Sequence, residues 1–276
     1  MMRAFRSEWV KLSRRNTLLG FGGAMVGFTV LFTVLAFVNA GGGNVDLDGG
    51  DSEAFVTQGI LSLPEGSVFA ITSVGGFLGI IALALFASNL AGEFNKGTIR
   101  MLFVTEPNRF KVLAGKIAAL SSFVAVGVAA TLVATVGVGA LLASGVGVET
   151  ATWWTSDGLA AIGSAYVNLT AAALVPALIA GTIAVITRSA AIAISVGAAW
   201  FILGEALIGS FWDSLAEWGP AAVTNALAVG GVGGAGSMGG AAPVIAYTTA
   251  ALIALGYVVL SLAISSTVMA RRDVTS

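Results

Sequence analysis

The sequence predicts an all-α integral membrane protein: an N-terminal interfacial amphipathic helix plus six transmembrane helices, with N- and C-termini cytoplasmic. Three observations carry that prediction. The chain is 57% hydrophobic and 10% charged, with a mean hydropathy of +0.95, whereas ordinary soluble domains are about 25% charged. Six stretches are apolar enough to cross a hydrocarbon core of about 30 Å, which takes about 20 residues. All thirteen lysines and arginines fall in four short clusters, and basic residues flanking spans stay on the cytoplasmic side.

The clusters are Arg3/Arg6/Lys11/Arg14/Arg15, then Lys96/Arg100/Arg109/Lys111/Lys116, then Arg188, then Arg271/Arg272. Each is separated from the next by two apolar runs and a connection without bases. Only Glu8, Glu93, Glu106 and Asp273 share the basic side; the other acids lie in or beside the opposite connections. A positive inner rim suits an anionic leaflet, where each base near the surface contributes about 1 kcal/mol. Membrane lipids are therefore the implied partner, and no nucleic acid is needed to explain the bases. The chain has no cysteine and no histidine. That excludes disulfides and thiolate metal sites, and removes the commonest general base and metal ligand.

Residues 1–16 read as the interfacial helix. At about 100° per residue, Met2, Phe5, Trp9, Leu12 and Asn16 share a stripe that can dip into the headgroups while the bases occupy the rest. The first span, about 17–40, ends in the small residues Val38-Asn39-Ala40. It is longer than a signal-peptide core of about 7–15 residues, so an uncleaved span is expected. The remaining spans are about 67–91, 113–143, 158–187, 189–209 and 244–269. The third and fourth are long enough to protrude or tilt. Backbone groups in lipid must be bonded internally, so the spans are helices, and their many glycines and alanines permit close approach. The outer connections include 41–66, 144–157 and 210–243. Trp153 and Trp154 suit an interfacial belt. Phe211, Trp212, Leu215 and Trp218 can carry part of 210–243 back into the membrane. The run Gly230–Gly240 has no lysine and no strand–helix context, and reads as a flexible loop.

The inner connection 92–112 is the most informative local sequence. A loop that only reverses direction needs a handful of polar residues; this one is about twenty long, charged and partly apolar, which suits docking onto another protein. Its first half can form a short helix with Glu93 in the first turn and Arg100 later, the orientation the helix dipole favours. Pro107 then breaks it and Asn108 can cap the next span. Gly92 and Gly97 stand at phosphate-loop spacing, but Thr98 occupies the position that requires lysine. The chain carries no ATP-binding motif of its own.

The acid Glu93, then Gly97-Thr98-Ile99-Arg100, then Pro107, Arg109 and Lys116, resembles the cytoplasmic loop of ABC-2-type transporter permeases. Ser7-Glu8-Trp9-Val10-Lys11-Leu12, Thr187-Arg188-Ser189 and Arg271-Arg272-Asp273-Val274 agree in order and side. The layout covers the whole chain, although the motifs occupy about a fifth of it. The resemblance implies a permease subunit of an ATP-binding cassette transporter in the cytoplasmic membrane of a prokaryote, which would move a substrate, in the export direction, using ATP hydrolysis by a separate ATPase subunit. It implies pairing with a second permease copy or a related permease. No cofactor is then bound by this chain, and ATP and magnesium sit on the partner ATPase. Within the cytoplasmic coupling segment 92–112, Glu93, Gly97, Thr98 and Arg100 would form the coupling element, with Arg109 and Lys116 at its return into the third span.

Polar residues inside spans are costly and often functional. Asn168, in the fourth span, lies near the midplane, and Pro176 should kink that helix; Asn168 suits a helix–helix hydrogen bond or a pathway contact. Glu205 lies about 25 Å above Arg188 at 1.5 Å per residue, near the outer interface, where it can snorkel or serve a gate. Asp46, Asp48, Asp51 and Glu53 are spread along a glycine-rich loop and read as solvated rather than as a cation cage. The rival readings are a stand-alone secondary carrier or channel and, more distantly, a membrane-embedded enzyme. Carriers usually bury ions near the midplane, and none is evident here.

Overall fold

The computed structural model describes residues 2–42, 56–95, 109–204, 207, 210–212, 217–230 and 245–271, apart from some side chains at helix ends. Among the described residues the chain is all helical, with no strand. Five helices are long and apolar enough to cross a membrane: Arg15–Ala40, Gly75–Gly92, Phe110–Val146, Ser156–Thr187 and Tyr247–Ala270. The protein is an all-helical membrane protein. The stretch expected as the fifth span, 189–209, contains the helix Ala190–Gly204, and its continuation lies largely outside the described residues.

Helix α1 is Met2–Leu12, and α2 is Arg15–Ala40 with a π-helical turn at Leu18–Gly22. The expected second span is divided into α3 (Gly66–Ser73) and α4 (Gly75–Asn95). Then come α5 (Arg109–Val146), α6 (Ser156–Thr187), α7 (Ala190–Gly204), α8 (Pro220–Val229) and α9 (Tyr247–Arg271). The division falls at Val74, with φ −112° and ψ 15°. Upstream of it the Thr72 hydroxyl donates to the carbonyls of Val68 and Phe69, and that of Ser73 to Phe69. Such back-bonding bends helices, and Gly75-Gly76 follows at once.

The helices share one buried core built on two main pairings, and α5 also packs on α6. The closest pairing is α4 with α6, and α7, α8 and α9 collect around them. The second pairing is α2 with α5, to which α1 adds on the side of α5. The α2–α5 seam is built on i, i+4 spacing: Met25, Thr29, Thr33 and Phe37 face Gly127, Thr131, Thr135 and Gly139. A Cβ on Gly127 would come within 2.9 Å of the Met25 sulfur, and one on Gly139 within 3.4 Å of the Phe37 ring. Small residues at this spacing let two backbones approach where lipid supplies no hydrophobic drive. Thr29 and Thr33 turn their hydroxyls onto their own helix, to Met25 and Thr29 carbonyls, and Thr131 does so to Val128.

α6 is the central helix, with Leu169, Ala172, Ala173, Ala177 and Ala180 fully enclosed. Its Pro176 costs a backbone bond, and the ring projects toward α4. A Cβ on Gly79 would lie 2.8 Å from Pro176 Cγ, so glycine is what admits the ring. Thr182 fastens α9 to α6: its hydroxyl lies 3.0 Å from Ser265 Oγ and 3.2 Å from the Ser261 carbonyl. The turn to α7 runs through Arg188 in the left-handed region, φ 57°, with its N–H on the Ala184 carbonyl at 2.8 Å. The Ser189 hydroxyl caps α7 by accepting from the Ile192 N–H at 3.3 Å.

Two expectations change. The pair expected as an interfacial belt is split: Trp154 is exposed, but Trp153 is fully buried. Its indole N–H donates to the Leu61 carbonyl at 2.9 Å and its ring meets Phe37 edge-on, so it plugs the end of the bundle where α2, α5 and α6 converge. Part of the apolar stripe of α1 also faces protein, while Met2 is exposed. Leu12 is buried, Phe5 stacks on Trp9, and Trp9 meets Phe123 of α5 edge-on at 6.0 Å.

Candidate functional site

Glu93 falls in the last turn of α4 and Arg109 is the first residue of α5, although neither side chain is described. Gly97, Thr98 and Arg100 lie outside the described residues, and so does Glu205. What can be described is the frame. Before the connection 96–108, Leu90 near the end of α4 lies against Gly181 of α6; after it, Lys116 near the start of α5 meets Glu8 of α1.

Lys116 sits two turns into α5 and is buried at 4% exposure. Its Nζ lies 3.2 Å from Glu8 Oε2, while Glu8 Oε1 takes Lys11 Nζ at 2.7 Å. Glu8 is itself buried at 3% exposure. One carboxylate thus holds two lysines, one on its own helix and one 108 residues away in sequence. Sequence reasoning assigned Lys116 to the loop's return and gave Glu8 no role of its own. The available signal was the position of Glu8 between Phe5 and Leu12: an acid on the apolar face of an otherwise basic helix needs a buried partner.

At the other candidate position, Asn168 is 8% exposed and its Oδ1 accepts the Tyr247 hydroxyl at 2.6 Å. The Asn168 amide nitrogen also lies against Gly230, the left-handed residue (φ +70°) that ends α8, where a Cβ would approach within 2.8 Å. Asn168 therefore joins α6 to α8 and α9. Helix α8 was not foreseen as a separate element, because ten apolar residues give no span signal. It is wedged beside α4 and α6: a Cβ on Gly75 would lie 2.5 Å from Ala228 Cβ and 2.8 Å from Leu169 Cδ2. The Trp218 carbonyl just before it accepts the Tyr257 hydroxyl at 2.7 Å. Tyr257 is ten residues into α9, about 15 Å along it, so part of the expected outer connection is sunk into the bundle.

No group of three or more acids that could hold a metal ion occurs among the described residues. Among the described buried polar side chains, Glu8 with Lys116, Asn168 with Tyr247, and Thr182 with Ser265 join one helix to another.

Residues 26–275 match the family model described as "Protein of unknown function (DUF2705)". The chain belongs to the DUF2705 family. The DUF2705 match begins inside α2 and runs through α9, so α1 and Glu8 precede it. No curated protein matches the chain.

Proposed function

We propose that this chain is the membrane subunit of an ABC-2-type transporter, which moves its substrate outward across a prokaryotic cell membrane with energy from ATP hydrolysed on a separate ATPase. The observation that carries the reading is the composition and place of the connection 92–112. Glu93, Gly97, Thr98, Arg100, Pro107, Arg109 and Lys116 follow the order of the coupling loop in those permeases, between the second and third apolar runs. The absence of a phosphate-loop lysine in the expected place in the chain supports placing hydrolysis elsewhere. In this reading both termini are cytoplasmic, the chain has six spans with 189–209 as the fifth, and two permeases form the pathway. The partner's nucleotide-driven closure would push on 92–112.

A stand-alone carrier is the second reading, and two observations favour it: the break at Val74 and the inserted helix α8 are the kind of interrupted helices that carriers use. One experiment separates the two. The tagged chain is expressed with an ATPase subunit bearing Walker motifs, sought among the products of neighbouring genes, and purified in mild detergent. The permease reading expects co-purification and faster hydrolysis than the ATPase alone, both reduced by Glu93→Lys and Arg100→Glu. Transport that persists without any ATPase would favour the carrier; assembly and hydrolysis untouched by both reversals would remove the coupling assignment.

A further inference from the structure

The corner between α1 and α2 carries two exposed arginines, Arg14 and Arg15. Among the described side chains the acid nearby is Glu8, and both its oxygens are taken, by Lys11 and Lys116. Arg14 and Arg15 enter no ion pair among the described residues. Directly beyond them α2 presents an open furrow. Gly20, Gly23 and Gly27 are exposed, and a Cβ on any of them would meet nothing within 4 Å. The glycines of the α2–α5 seam differ: Gly127 is covered by Met25 and Gly139 by Phe37. Leu18 and Leu19 stand exposed at the furrow's entrance.

We propose that an anionic phospholipid, from the leaflet at the basic end, seats on this corner, with its phosphate on Arg14 and Arg15 and one acyl chain along Gly20, Gly23 and Gly27. Charge, length and symmetry select this occupant. Guanidinium groups pair with phosphate through two parallel hydrogen bonds, and bases at an anionic leaflet add attraction. Gly27 lies about 18 Å beyond Arg15 at 1.5 Å per residue, and one leaflet of hydrocarbon is about 15 Å deep. The furrow therefore ends where an acyl chain does, and Leu31, 54% exposed, follows on the same face. A second copy packed here about a twofold axis would set like patch on like patch. It would bring Arg14 and Arg15 toward their own counterparts, whereas a phosphate neutralises them. The corner is also held in advance. Glu8 bonded to Lys116 fixes α1 on α5, and Leu12 is buried just before the turn, so little ordering is left for binding to supply. A diffuse positive rim would not distinguish one base from another; a seat does.

The test uses the full chain in mild detergent, with phosphatidylglycerol or phosphatidylcholine added in mixed micelles. Native mass spectrometry counts the lipid retained by each chain, and thermal unfolding reads its effect on Tm. Phosphatidylglycerol should be retained and should raise Tm; phosphatidylcholine should do neither. Arg15→Gln should weaken retention about fivefold, and Arg14→Gln/Arg15→Gln about thirtyfold. Arg6→Gln removes the same charge from the exposed side of α1 and should leave retention nearly unchanged. Gly23→Leu, whose side chain enters open space, should weaken retention while the lipid-free Tm stays at the wild-type value, which shows that the variant is folded. Equal retention of the two lipids would overturn the proposal. Equal losses for Arg6→Gln and Arg15→Gln would reduce it to a diffuse rim, and full retention by Gly23→Leu would refute the furrow as the seat. If glycerol phosphate at the same concentration gives the same rise in Tm, the arginines take free phosphate rather than lipid. Paired chains that separate on Gly23→Leu would show a second copy on this face, and the lipid seat would fall.

Discussion

Trp153 and Trp154 are adjacent and chemically identical, yet the structure separates their energetic roles. Trp153→Phe removes the indole N–H from the Leu61 carbonyl, and Leu61 is itself fully buried. Withdrawing the donor from a buried acceptor costs about 1–3 kcal/mol. The smaller ring also gives up contact with Phe37 and with Gly139, where a Cβ would stand 3.3 Å from the far edge of the indole. Large-to-small changes in packed sites carry a further cost, so a total of about 2–4 kcal/mol is expected. Trp154, 58% exposed, should tolerate phenylalanine within about 0.5 kcal/mol. The assay is thermal unfolding in detergent followed by far-ultraviolet circular dichroism, with the two variants compared in one buffer. At about 2–4 °C per kcal/mol for a chain of this size, Trp153→Phe should lower Tm by about 5 °C or more, and Trp154→Phe by about 2 °C at most. Equal shifts for the two would refute the assignment of Trp153 as the plug of this end.

Tyr247→Phe should cost about 1 kcal/mol, in line with interhelical hydrogen bonds in membranes; a double-mutant cycle with Asn168→Leu should show less than additive loss, and strict additivity would mean that the pair is not coupled. Gly79→Leu forces a side chain against Pro176 and should destabilise by about 1–3 kcal/mol, read as lower Tm and yield; a neutral result would mean that α4 and α6 are not in close contact there. For orientation, an impermeant maleimide on intact cells should label Gln58→Cys and Ser144→Cys, and should reach Arg14→Cys and Lys111→Cys only after permeabilisation; the opposite pattern would reverse the topology assumed in the functional proposal.

Hydropathy made the long helices readable, because a run such as 113–143 has no other stable state in lipid. The same averaging hid the break at Val74, since Val68–Leu83 is apolar on both sides of it; Gly75-Gly76 was the only local signal. It also hid α8, whose ten residues resemble loop until their burial is seen. Trp153 and Glu8 were misjudged for a shared reason: which way a side chain turns depends on a neighbour distant in sequence, Leu61 in one case and Lys116 in the other. The coupling residues were read from motif order, and of these the structure describes the side chain of Lys116 alone.

The length of α5 has a consequence for depth in the bilayer. It has 38 residues, about 57 Å, against 26 in α2, and the seam fixes Met25 beside Gly127 and Phe37 beside Gly139. Arg15 is then level with Ile117, so the turns from Arg109 to Lys116 run past the start of α2. At the base of that projection α1 is fastened to Lys116 and lies against Phe123. Its exposed Arg6 and Lys11 cannot enter hydrocarbon cheaply, and the Glu8–Lys116 bond transfers that refusal to α5. A thicker membrane therefore cannot draw α5 inward by sliding; the mismatch must be met by tilting of α2 or by the lipid itself.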